Sequence, residues 1–247
     1  MGRITETIKI LIIINVLFFG GTLLAEELSY RLFSLFYFEN PSFKFWQPAT
    51  HMFMHGGVWH ILFNMYALWA FGTPLEMQWG RKKFLFFYFS AGLGAALIHS
   101  LVNYYYFHSG FDALLQAGLA EQQIWDILTT GQYNTSILSS VPAETIQQFY
   151  DSYYIPAVGA SGAIYGVLVA FGLLYPNVEL MLIFLPIPIK AKYFIPGLIL
   201  LDLFSGVTGF SVFGQNIANW AHIGGALFGF IMAYYWKKNS FNANRWN

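Results

Sequence analysis

Six stretches of mostly apolar residues run along the chain, at 8–25, 58–77, 84–104, 156–175, 193–209 and 219–236. Each approaches the roughly 20 residues with which an α-helix crosses the hydrocarbon core of a bilayer. The pattern predicts an all-α, polytopic membrane protein: a single domain over 1–247, built as a six-transmembrane-helix bundle. Two long intervals separate the stretches. The first is an aromatic loop, "ELSYRLFSLFYFENPSFKFWQPATHMFMHGG". The second is a polar insert at 105–155. Its "FDALLQAGLAEQQIWDILTTGQ" carries helical periodicity, with Leu114, Leu115, Leu119, Ile124 and Leu128 as the apolar positions. Short helices on or near the membrane surface are expected there. The first stretch has a second reading as a signal peptide, because Arg3 and Lys9 precede "ILIIINVLFF" and "LLA" precedes Glu26. Gly20 and Gly21 suit a packed helix equally well.

Composition strengthens the membrane reading. Charged residues are only 10% of the chain, against roughly 25% in soluble domains. Aromatics reach 20% and gather near the ends of the expected helices, as an interfacial belt does. The net charge is zero, so no basic bulk points to nucleic acid. The absence of cysteine excludes disulfides, thiol nucleophiles and thiolate metal sites.

Charge also orients the bundle, since cytoplasmic loops collect Lys and Arg. With the N-terminus inside, ten of the 12 basic residues fall on inner segments: Arg3, Lys9, Arg81, Lys82, Lys83, Lys190, Lys192, Lys237, Lys238 and Arg245. Only Arg31 and Lys44 fall outside. Both termini are therefore expected in the cytoplasm and the insert on the outer side. The chain shows no obvious organelle-targeting extension, and the expected location is the bacterial inner membrane.

In that orientation the second, fourth and sixth stretches all run inward, and each carries its polar residues near its start. These are His60 and Asn64, then Ser161, then His222. At 1.5 Å per residue, Ser161 and His222 each lie within about 10 Å of an outer helix end. His60 and Asn64 share a helix face, as do Ser161 and Tyr165. Intramembrane polar groups face the bundle interior and often mark function. Taken singly, a serine among small residues is packing glue, and a histidine at a helix end is interfacial. Together they carry more weight, because one topology brings all of them to the same level.

The chemistry follows from the residue types. A serine needs a base to take its proton, and a neutral histidine is one near pH 7. Attack on a peptide carbonyl makes an oxyanion that needs donors, which Asn64, His60 and backbone N–H groups at the fourth helix start can supply. Asp202 is read as too deep to orient His222, so a dyad is expected rather than a triad. Small residues let the two helices approach: Gly162, Gly166 and Ala170 on the fourth, Gly225 and Gly229 on the sixth.

These residues resemble the rhomboid family of intramembrane serine proteases. The resemblance is carried by "HMFMHGGVWHILFN", "GASGAIYG" and "AHIGGALFG", in that order on the second, fourth and sixth stretches, and spans about residues 8–236. It implies Ser161 as nucleophile and His222 as general base. It implies His60, Asn64 and the Ser161 backbone N–H as oxyanion donors. Gly159 would keep the approach to the serine open, and Tyr165 would pack on His222. His51 and His55 would be structural, and Glu76 would anchor a neighbouring loop. No cofactor or metal is implied. The partners would be transmembrane protein substrates within the lipid bilayer, which must unwind locally to expose a peptide bond. Substrate would enter beside the fifth helix, where Pro196, Gly197 and "SGVTG" permit movement. Two departures stand out: Trp46-Gln47 replaces a frequent Trp-Arg pair, and the 105–155 insert is long.

Other mechanisms fit less well. No H-E-x-x-H occurs, and the trio His51, His55 and His60 lacks a carboxylate. Asp202 has no second carboxylate for an aspartyl protease. The lysines other than Lys44 are expected on the inner side, away from Ser161. "GASGA" is not G-x-S-x-G. The alternative from another class is a catalytically inactive rhomboid-like protein that binds or escorts membrane clients. Such proteins usually lack the serine or the histidine.

Overall fold

The computed structural model describes residues 3–182, 185–210 and 218–243. The chain is predominantly helical. The helices are α1 (Glu6–Leu24), α2 (Glu26–Phe33), α3 (Gln47–Thr50), α4 (Val58–Ala67), α5 (Thr73–Trp79), α6 (Arg81–Gln116), α7 (Glu121–Thr130), α8 (Ala143–Tyr154), α9 (Ser161–Leu174), α10 (Ala191–Thr208) and α11 (Asn219–Ala243). A π-helical turn, Leu68–Gly72, joins α4 to α5 into one helical path. Among the described residues, α1, α6 and α10 are long and apolar enough to cross a membrane, and α9 is a shorter apolar helix.

Helix covers each of the six apolar stretches, with corrections at the edges. The third does not stop at 104: α6 continues for 36 residues into the insert. The fourth is not helical from 156, because α9 begins at Ser161. Residues before it are held extended by a two-way backbone pairing of Leu35 with Ala157 at 2.9 Å. An antiparallel hairpin, β1 (Glu179–Leu182) with β2 (Leu185–Lys190), was not expected from the sequence. Arg245, one of the ten basic residues used for orientation, lies outside the described residues.

At the centre stands α9, whose residues Gly162 to Phe171 are all buried. A helix apolar all round is covered either by neighbouring helices or by lipid. Here α6 and α11 pack closely against it. A Cβ at Gly162 would meet Ala95 at 2.5 Å, and one at Gly166 would meet Ala91 at 2.6 Å. On the other side, Gly225 and Gly229 of α11 press directly on Gly162 and Gly166.

The insert builds a core of its own from Phe107, Leu114, Ile124, Leu128 and Phe149, all buried. Of the five expected apolar positions, Leu119 is half-buried against this core and Leu115 is 36% exposed. The insert also braces the aromatic loop: Tyr37 packs on Phe107, and Asn40 donates to the Tyr153 carbonyl at 2.9 Å. Within that loop Gln47 is fully buried. It accepts from Phe36 N–H at 3.3 Å and donates to the carbonyls of Arg31 at 3.1 Å and Ser42 at 2.9 Å. A neutral amide, both donor and acceptor, does here what a guanidinium cannot, since a guanidinium has no acceptor.

Glu76 is buried beneath the N-terminus of α1. Its carboxylate accepts from the Thr5 hydroxyl and from the N–H groups of Thr7 at 3.3 Å and Ile8 at 3.2 Å. These donors have no intrahelical partner, and a carboxylate is favoured at the positive end of a helix dipole. The group thus anchors the first helix rather than a loop. Ile8 and Leu11 of α1 are buried in the central core, so this stretch packs as part of the bundle.

Candidate active site

The 14 residues of α9 span about 21 Å at 1.5 Å per residue, less than the roughly 30 Å of a hydrocarbon core. At least one of its ends therefore stops short of a bilayer surface, and Ser161 is its first residue. In the extended segment before it, Ala157 and Gly159 pair backbone groups with protein, as non-helical chain at membrane depth requires. Leu35 pairs with Ala157, and Gly159 N–H donates to the His51 carbonyl at 2.9 Å. His51 and its loop thus hold the segment that presents the serine.

Ser161 Oγ lies 2.8 Å from Nε2 of His222, which projects from the first turn of α11. The expected approach of these two side chains across two helices is what the structure contains. The glycine contacts explain it: removing side chains between α9 and α11 brings their backbones close enough for a short serine to reach an imidazole. Tyr165, one turn along α9, stacks on the His222 ring with centroids 4.2 Å apart and planes 8° from parallel.

The other ring nitrogen, Nδ1, lies 3.2 Å from Oδ1 of Asp202 on α10. Oδ2 of the same carboxylate accepts a hydrogen bond from the Tyr165 hydroxyl. The expectation that Asp202 sits too deep is thus overturned. Asp202 is six residues from the end of α10, about 9 Å along its axis, and His222 is three residues into α11, about 5 Å. The lengths of the Asp, His and Tyr side chains bridge that offset. The missed signal was a carboxylate alone in an apolar helix, which is rarely there without a partner.

His60 reaches the site from α4. A Cβ placed on Gly159 would lie 2.8 Å from His60 Nε2 and 3.4 Å from Ser161 Oγ, so the histidine and the serine flank one small space. Gly159 has φ +125°, a conformation that favours glycine, and only glycine leaves that space open. The Gly56 N–H donates to His60 Nδ1 at 3.4 Å, which puts the ring proton on Nε2, facing the space. Asn64 is buried one turn below and donates to the His60 carbonyl at 2.9 Å. That bond uses one amide hydrogen and leaves a second.

Because a carboxylate only accepts, the Asp202 contact places a proton on His222 Nδ1 and a lone pair on Nε2, towards the serine hydroxyl. The first N–H groups of α9 have no intrahelical partner and carry the positive end of its dipole. The arrangement can take a proton from Ser161 and offer donors to a developing anion beside Gly159. Among the described residues, no cluster of three or more His, Cys, Asp or Glu side chains could hold a metal ion.

A family model described as the Rhomboid domain matches residues 42–239. The chain is similar to the rhomboid protease AarA of Providencia stuartii, at 24% identity over 250 residues, covering 94% of this chain and 73% of that protein. It is also similar to the rhomboid protease GluP of Bacillus subtilis, at 28% over 190 residues, covering 77% and 26%. Rhomboid protein 1, mitochondrial, of Saccharomyces cerevisiae matches at 25% over 186 residues, covering 75% and 40%. The chain thus spans two fifths or less of the yeast and Bacillus relatives.

Proposed function

This chain belongs to the rhomboid family, and on that premise we propose that it is an intramembrane serine endopeptidase of six membrane-crossing helices. It cleaves peptide bonds in or beside the transmembrane segments of other membrane proteins. The observation that carries the reading is the 2.8 Å contact between Ser161 Oγ and His222 Nε2. A helix-spacing serine has no need of an imidazole, and a client-binding protein has no need of either.

Ser161 is the nucleophile. His222 Nε2 takes its proton as Oγ attacks the substrate carbonyl, and the carbonyl oxygen becomes an anion in the space beside Gly159. The His60 Nε2–H, the free Asn64 amide hydrogen and the Ser161 backbone N–H stabilise it. His222 then gives its proton to the leaving amine, and an acyl ester remains on Ser161. A water molecule, its proton taken by His222, hydrolyses that ester. The substrate helix must unwind first, because its carbonyls are held in its own hydrogen bonds, so Gly or Pro near the cut assists cleavage.

The orientation we propose places both chain ends in the cytoplasm of a bacterial inner membrane and opens the site to the outer side. Substrate enters laterally beside α10. The natural absence of cysteine makes an engineered disulfide between α4 and α10 a clean lock. Turnover stops in the locked, oxidised protein and returns on reduction.

The direct test is cleavage of a transmembrane reporter by purified protein in liposomes. Ser161→Ala abolishes cleavage while the protein stays folded and inserted. Unchanged cleavage by that variant removes the mechanism. Wild-type protein that never cleaves but retains membrane clients favours the binding-protein alternative.

A further inference from the structure

We propose that Asp202 is the positioning partner of His222, so that the site works as a Ser161–His222–Asp202 constellation. This rests on the proteolytic reading and deepens it.

Asp202 is 3% exposed on an otherwise apolar helix. An ionised carboxylate there carries a large desolvation cost unless both oxygens find donors. They do: Oδ2 receives the Tyr165 hydroxyl and Oδ1 faces the His222 ring nitrogen at 3.2 Å. A residue that merely tied α10 to α9 would need the first contact alone.

An unaided imidazole can carry its proton on either nitrogen, and Nε2–H facing a hydroxyl cannot accept a proton. An acceptor at Nδ1 selects the productive form. Tyr165 reinforces the choice twice. Its hydroxyl holds the carboxylate, and its ring, 8° from parallel with the imidazole, fixes the plane in which Nδ1 and Nε2 point.

When Ser161 gives up its proton, His222 becomes an imidazolium beside Asp202. That attraction exists after proton transfer and not before, so it lowers the barrier rather than merely binding substrate. Among the described residues, the other titratable side chains that interact with His222 are Tyr165, stacked on its ring, and the histidines His60 on α4 and His99 on α6, none of them a carboxylic acid.

The test compares wild type, Asp202→Asn, Ser161→Ala and His222→Ala in proteoliposomes with one reporter. In Asp202→Asn, kcat falls by roughly a hundred- to ten-thousand-fold while KM is unchanged. A kcat within threefold of wild type overturns the proposal, and so does a loss carried by KM rather than kcat. Should Asp202→Asn fail to fold, ¹⁵N-histidine NMR of the wild type decides. The resonance lost in His222→Ala shows a proton on Nδ1 and none on Nε2; the opposite tautomer overturns the assignment. Cleavage that survives Ser161→Ala or His222→Ala would instead sink the proteolytic reading itself.

Discussion

No side chain fits between Gly225 of α11 and the carbonyl of Gly162 of α9. That closeness is what lets Ser161 and His222, on the same two helices, come within a hydrogen bond. A methyl at position 225 must push the backbones apart. Gly225→Ala is expected to cost about 1–3 kcal/mol of stability, the usual penalty for overpacking. It should reduce cleavage by more than the loss of folded protein explains. Thermal unfolding and reporter cleavage on the same preparation check this.

Gly159 makes a separate prediction. Alanine there meets His60 Nε2 at 2.8 Å and must adopt φ +125°. Strain of this kind is on the order of 1–3 kcal/mol. Because the methyl fills the space proposed for the oxyanion, kcat is expected to fall far more than the melting temperature. A Gly159→Ala protein of near-normal activity would show that the anion is held elsewhere.

Tyr165 has two roles that substitution can separate. Tyr165→Phe keeps the ring stack and removes the hydroxyl donated to Asp202. A hydrogen bond to a charged group is worth about 1.5–3 kcal/mol, so kcat is expected to fall at least tenfold. Tyr165→Leu removes the stack as well and should fall further. Steady-state kinetics with a transmembrane reporter orders the two variants.

The loop histidines bear on acid stability. Burial pushes His51 and His55 well below the ordinary value of 6.5. In the unfolded chain each would bind a proton near 6.5, and in the folded chain it does not. Their contribution to stability is therefore full above that pH and is lost as pH falls below it. Unfolding monitored from pH 7.5 downward should show stability declining below about 6.5. His51→Gln should flatten the decline.

Much of this site could be read from the chain because its residues are local to three motifs. His60 and Asn64, Ser161 and Tyr165, and His222 with Gly225 and Gly229 each sit at fixed helical spacings. Ordering the apolar stretches then brought them to one level. Asp202 escaped that logic. It belongs to no motif, and its level depends on how far α10 sits along its axis relative to α11, which packing sets and periodicity does not. The start of α9 escaped for a related reason. Residues 156–160 are small and apolar and read as helix, but their backbone is claimed by Leu35 and His51, far away in the chain. The length of α6 was hidden because the apolar stretch ends at 104 and helical periodicity resumes only at Phe111, with His108, Ser109 and Gly110 reading as a break between them. The buried face there is supplied by the insert's own core.

The central claim is that Ser161 is activated by His222. Labelling the membrane-reconstituted protein with a fluorophosphonate tests it with no substrate in hand. A single adduct on Ser161 is expected, lost in Ser161→Ala and in His222→Ala. An adduct on another residue, or labelling of Ser161 that persists undiminished in His222→Ala, would contradict it.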